Sequence, residues 1–120
     1  MNRRHALQAL GCLMLRPTGA RAGNGIALDA LRSGGALLLR HALTEPGIGD
    51  PQGFRLDDCS TQRNLSAGGR AQARAAGEAL RARDVKMDAV YSSAWCRCID
   101  TAKEMFPELQ GEVLPALNSF

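Results

Sequence analysis

Aromatic residues are scarce in this chain: one Trp, one Tyr and three Phe make up 4% of 120 residues. Surfaces that bind single-stranded nucleic acid stack successive bases on aromatic rings, so this composition argues against such a partner. Histidine is scarcer still, with only His5 and His41, which leaves little material for a histidine-based metal site. No apolar run approaches the ~20 residues a membrane-crossing helix requires. The chain also has no real excess of positive charge outside its start. The formal net charge is +3, yet four of the 15 basic residues (Arg3, Arg4, Arg16, Arg21) fall in the first 22 positions, where no acidic residue occurs. Residues 23–120 carry 11 basic and 12 acidic residues, a net charge of −1. A nucleic-acid footprint needs a basic patch, and none remains there.

What the first segment does contain is a three-part pattern. Arg3-Arg4 is a basic start, Leu7 to Leu15 an apolar middle, and Ala20-Arg21-Ala22 a small-residue cleavage pattern. That is the layout of a secretory signal. The expectation is a signal peptide over 1–22 and an exported product over 23–120, periplasmic or secreted, with no stable membrane span after cleavage. The route stays open between general secretion and twin-arginine export. Cleavage would remove Cys12 and leave Cys59, Cys96 and Cys98. In an oxidising compartment two of these pair, so Cys59 with Cys96 or Cys98 would pin a long loop to a later helix and leave one thiol free. Three cysteines with C-x-C spacing and no spare histidine fit a zinc site poorly.

Along the chain, Gly23 to Gly25 read as a linker and Ile26 to Arg32 as a short helix stopped by Gly34-Gly35. The run Ala36-Leu37-Leu38-Leu39, ending in Arg40, reads as a buried strand. Leu43 to Leu65 carries Pro46, Gly47, Gly49, Pro51 and Gly53; it is a loop longer than the ~12–15 residues usual for structureless connections, and suits a lid. Ser66 is placed to cap a helix over Ala67 to Arg83. Its narrow stripe of Ala73, Ala76, Gly77 and Leu80 faces inward, and Arg70, Arg74, Glu78 and Arg81 form a solvated face. Met87 to Tyr91 reads as a second strand, and Ser93 as the cap of a helix from about Ala94 to Phe106, which Pro107 ends. Val113 to Leu117 would start a third strand, weakened by Pro115. Strands alternating with helices predict an α/β fold with a parallel core.

In such folds ligands bind beyond the carboxyl ends of the strands. The first strand would deliver Arg40 and His41 to that rim. Arginine presents a planar fork of donors to a phosphate, and a neutral imidazole beside it can attack phosphorus and carry the phosphoryl group. Arg97 falls in the first turn of the helix after the second strand, where free N–H groups and the positive dipole end favour a phosphate. If the two strands are parallel neighbours, Arg40, His41 and Arg97 converge.

Three segments then bear comparison with a known family. Leu39-Arg40-His41-Ala42 resembles the Arg-His-Gly signature of the histidine phosphatase superfamily, which includes phosphoglycerate mutases and acid phosphatases, with Ala42 where Gly is commoner. Leu65-Ser66-Ala67-Gly68-Gly69 with Gln72-Ala73 resembles its Leu-Thr-x-x-Gly-x-x-Gln-Ala helix start. Ser92-Ser93-Ala94-Trp95-Cys96-Arg97 with Thr101-Ala102 resembles its Ser-Ser-x-x-x-Arg…Thr-Ala segment. The matches run in the family's order from about Ala36 to Ala102, the N-terminal half of its pattern.

The resemblance implies a phosphoglycerate mutase-like sheet flanked by helices, here its N-terminal part over 23–120. It implies that His41 becomes phosphohistidine while Arg40 and Arg97 hold the phosphoryl oxygens. Asn64, Arg63 and Thr44, in or beside the loop, are weaker candidates for substrate contact. The implied partner is a small phosphorylated substrate or ligand, and no metal or organic cofactor is implied. The family's second histidine and acidic proton donor come later in its pattern. No histidine follows His41, and Glu104, Glu108 and Glu112 match no donor context, so phosphomonoester hydrolysis is expected to be impaired. The alternative is a non-catalytic module that binds phospho-ligands through Arg40, His41 and Arg97. A thiol protein using Cys96 and Cys98 is a further rival. An incompletely covered parallel sheet would expose a strand edge, so self-association through that edge is expected.

Overall fold

A computed structural model describes residues 21–119. The leader expected at 1–22, Cys12 included, lies almost wholly outside the described residues. Three helices, α1 (Arg21–Arg32), α2 (Ala67–Arg81) and α3 (Cys96–Met105), combine with two short strands, β1 (Tyr91–Ser92) and β2 (Glu112–Val113). Cys59–Thr61 and Pro115–Ser119 form 3-10 turns.

The strands pair in parallel, Tyr91 opposite Glu112 and Ser92 opposite Val113, and α3 makes the crossover between them. The chain is therefore a small α/β structure with a two-stranded parallel sheet. The second strand is shorter than Met87 to Tyr91 and lies at its far end. Of Val113 to Leu117, only Val113 stays in a strand. Pro115 has no N–H to give a ladder, and the chain coils into a 3-10 turn from that residue.

Ala36 to Arg40 departs furthest from its expected form. This run is not a strand: it is irregular, and Leu38 and Leu39 are 88% and 56% exposed. A strand exists only as a pair, because its N–H and C=O groups need a neighbour's ladder. Fixed contacts begin just after the run, where Ala42 N–H donates to Thr101 Oγ1 (3.0 Å) and Leu43 N–H to Gln72 Oε1 (3.0 Å). The Leu run before those anchors stands in water.

Helix boundaries follow local chemistry. In α1, Gly34 takes φ +100° and Gly35 N–H donates to Ala30 O (2.8 Å), a left-handed stop that suits glycine. The linker expected at Gly23 to Gly25 is instead helical; once a turn exists, each added residue gains a hydrogen bond, which carries weak helix formers along. Helix α2 starts where Ser66 Oγ accepts the Gly69 N–H (3.0 Å). It stops by the same motif as α1, with Asp84 at φ 56° and Val85 N–H on Leu80 O (3.0 Å).

Ser93 does not cap α3. The helix begins at Cys96, and Trp95 at its cap position makes no side-chain cap bond. A first-turn donor is served from elsewhere, as Gln62 Oε1 accepts the Cys96 N–H (3.0 Å), and just before the helix Asn118 Oδ1 accepts the Ala94 N–H (2.7 Å).

The core lies between α2 and α3. Ala42, Leu65, Ala73, Met105 and Phe106 are buried together, with Leu80, Met87, Val90 and Leu109 packed against them. Gly69 and Gly77 are buried on α2, while Ala76, read as part of the inward stripe, is exposed. A Cβ on Gly69 would sit 1.8 Å from Leu43 O, and one on Gly77 2.1 Å from Met105 O. These glycines let α2 lie directly against neighbouring backbone. Arg70 and Arg74 are not merely solvated. Arg70 bridges Asp100 (2.9 Å) and Glu104 (3.2 Å), and Arg74 reaches Glu104 (2.7 Å). Arg81 donates to Met105 O (2.8 Å). Charges spaced along one helix do not reveal that acids on another helix face them.

Candidate functional site

The site is organised around Thr101. Its hydroxyl accepts the Ala42 N–H and donates to Arg97 O (2.7 Å), so one α3 side chain joins the segment carrying His41 to the turn carrying Arg97. His41 is half-buried, and its Nδ1 lies 2.8 Å from Ala42 O. A carbonyl oxygen only accepts, so the proton of this bond belongs to Nδ1 and a neutral ring then keeps its lone pair on Nε2. Arg40 is exposed and makes no hydrogen bond or ion pair among the described residues. Thus His41 and Arg97 are tied to one framework, and Arg40 is adjacent in sequence but not fixed.

Arg97 and Asp50 form a tightly enclosed ion pair. The Arg97 side chain is 12% exposed, and Nη1 bonds Asp50 Oδ1 at 2.8 Å; Asp50 is itself 9% exposed. The guanidinium carbon stands 4.3 Å from the Trp95 ring centroid, a cation–π contact. Trp95 in turn meets Phe54 at 4.9 Å between centroids. Asp50 Oδ1 also accepts the Arg63 N–H (3.0 Å). Burial alone would raise the Asp50 pKa; the Arg63 N–H and the Arg97 guanidinium outweigh it and hold the carboxyl below its ordinary 3.8. The Nε and Nη2 of Arg97 make no hydrogen bond among the described residues, and neither is sealed from solvent.

The loop from Leu43 to Leu65 is ordered by contacts within it and by ties to α2 and α3. A bridge between Thr44 and Leu65 closes its base, with Glu45 N–H on Asn64 O (2.9 Å). Asp58 caps the 3-10 turn by accepting the Ser60 N–H (3.1 Å). The buried Gln62 gives its amide N–H to Arg55 O (2.8 Å) and Leu56 O (3.2 Å), while its oxygen serves the Cys96 N–H. Cys59 and Cys96 form a disulfide, Cα to Cα 5.6 Å, and Cys98 is free. Of the two pairings left open by the spacing, the fold selects Cys96, which precedes Arg97.

Arg63, Asn64 and Thr44 all belong to this scaffold. Arg63 Nη1 donates to Gly47 O and Asn64 Nδ2 to Cys59 O (2.7 Å), while Thr44 acts through its backbone. Asp50, Gln62, Trp95 and Thr101 matter to the geometry but escape a reading of residue types. Only Thr101 had a signal, its place in the Thr-Ala pair after Arg97. Two of the later acids are otherwise engaged. Glu104 is held below its ordinary 4.5 by Arg74 and Arg70, and Glu108 stands 3.7 Å from Arg81.

Chemically, the arrangement offers an imidazole with a free lone pair and a fixed guanidinium with an open edge. Among the described residues, no group of three or more His, Cys, Asp or Glu is placed to hold a metal, and no helix is long and apolar enough to cross a membrane. Compared with known protein families, residues 36–118 match the family model described as histidine phosphatase superfamily (branch 1). Comparison with curated proteins and with solved structures returned no match.

Proposed function

The chain belongs to the histidine phosphatase superfamily, and from that premise we propose that it acts on small phosphomonoesters through a phosphohistidine on His41. The observation that carries this reading is the Nδ1 bond of His41 to Ala42 O. It leaves the Nε2 lone pair for in-line attack on phosphorus. The N–P bond forms as the P–O bond to the leaving group breaks, and the leaving oxygen takes a proton from water. Water then attacks the phosphohistidine, releasing phosphate and restoring the imidazole. Arg97, and Arg40 once a ligand draws it in, offset the charge on the phosphoryl oxygens.

The finer expectations belong to the same proposal. The sheet and helices would follow the phosphoglycerate mutase-like arrangement, residues 1–22 would be a cleaved leader and the product exported. Thr44, Arg63 and Asn64 would shape the substrate's surroundings by holding the loop.

The test is trapping. Incubation with p-nitrophenyl phosphate and rapid quenching is expected to give a base-stable, acid-labile phosphoryl group on His41, absent in His41→Ala. A second reading, a binding module without turnover, draws on Glu104, whose carboxyl is engaged by two arginines and held ionised, the wrong state for protonating a leaving alcohol. In that case no phosphoryl group is trapped, and His41→Ala still binds inorganic phosphate.

A further inference from the structure

We propose that Asp50 is a positioning residue that presets Arg97 for a phosphoryl group, an inference that rests on the phosphate-binding reading of Arg97 given above. Asp50 lies in the long loop, 47 positions from Arg97, and meets it at 2.8 Å. It engages Nη1 alone. The side edge of the guanidinium, Nε with Nη2, stays without a partner among the described residues. That edge is a two-donor fork of the kind that takes a phosphate bidentately.

Both the guanidinium and its partner carboxylate are held further. The Trp95 ring lies against the guanidinium at 4.3 Å. Asp50 is itself held by the Arg63 N–H and by a loop tied to Cys96 through Cys59. A free arginine side chain loses rotamer entropy when it is immobilised. In this chain that loss occurs on folding, before any ligand arrives, which is how preorganisation raises affinity.

The position of Asp50 makes the idea testable by sign. A carboxylate this close to an anion site opposes anion binding by Coulomb's law, so charge alone predicts that its removal tightens binding. Positioning predicts the opposite. The experiment uses the full chain, wild type, Asp50→Ala, Asp50→Asn and Arg97→Ala, titrated calorimetrically with inorganic phosphate. Arginine side-chain Nε–Hε resonances are recorded in parallel, with the Arg97 signal assigned by its loss in Arg97→Ala.

Asp50→Ala is expected to weaken phosphate binding about tenfold or more and to collapse the distinct Arg97 signal. Asp50→Asn keeps an acceptor oxygen for Nη1 and is expected to keep the signal and bind within about threefold of wild type. Unchanged or tighter binding in Asp50→Ala overturns the inference, as does an equal loss in Asp50→Ala and Asp50→Asn. Should Asp50→Ala fail to fold, Asp50→Asn decides: a retained signal with near wild-type affinity supports positioning, and a lost signal with unchanged or tighter binding overturns it. If wild type binds no phosphate, or Arg97→Ala binds it as wild type does, the underlying site reading fails and this inference falls with it. That outcome is distinct from a failure of Asp50 alone, in which Arg97→Ala loses binding and Asp50→Ala does not.

Discussion

Gly69 and Gly68 are neighbours in the first turn of α2, yet a methyl group would have opposite effects on them. At Gly69 it would stand 1.8 Å from Leu43 O, a backbone atom next to the His41 segment; at Gly68 its nearest neighbour would be Ser66 Oγ at 3.8 Å. Gly69→Ala is therefore expected to destabilise by about 2–3 kcal/mol through forced backbone displacement. Gly68→Ala should stabilise by up to about 1 kcal/mol from helix propensity. Denaturant unfolding of the two variants measures both. At the same scale, Arg97→Lys keeps the charge but loses the planar fork, so about a tenfold loss of phosphate affinity is expected by titration. The phosphate-binding role we propose for Arg40, His41 and Arg97 is suggested by their residue types and their order in the chain. Asp50 and Gln62 carry no such signal, because their roles depend on partners 47 and 34 positions away, and no local pattern encodes such distances.

At the scale of elements, α2 and α3 are joined by Arg70, Arg74, Asp100 and Glu104. Glu104 is held below its ordinary pKa of 4.5 by Arg74 and Arg70, and Asp50 below 3.8. A carboxyl with a depressed folded pKa stabilises the fold fully above its unfolded value, and that contribution is lost as pH falls through the folded one. The thermal midpoint is therefore expected to drop between about pH 5 and pH 3, and Glu104→Gln should flatten that drop while lowering stability at neutral pH. Thermal melts across that range check it. The disulfide closes a span of 37 residues; breaking it with a dithiol is expected to remove about 3–4 kcal/mol of stability. Helix α2 was legible within two residues because Ser66, the alanines and the period agree. The start of α3 was not, because the acceptor for its first N–H comes from Gln62, 34 positions earlier.

For the whole molecule, the apolar surface left in water is the notable quantity. Leu37, Leu38, Leu39, Leu43, Tyr91, Val113 and Leu114 are all exposed, and apolar surface left in water favours association. Concentration-dependent self-association is expected in sedimentation experiments, and Leu38→Lys with Leu39→Lys should reduce it. A monomer at every concentration would remove that expectation.

The sequence by itself determined the class of the fold, the stop at Gly34-Gly35, the start of α2 after Ser66, the loop between Leu43 and Leu65, and the order of Arg40, His41 and Arg97. These follow from propensity, capping and period, which act over a few residues. Only the tertiary structure decided that the Leu run stays unpaired, that Cys59 joins Cys96 and leaves Cys98 free, and that Asp50 meets Arg97. Each is a contact between segments far apart in the chain. Pairing, bridging and burial of that kind depend on which backbones and side chains reach the same place, and a one-dimensional pattern carries no distance across the fold.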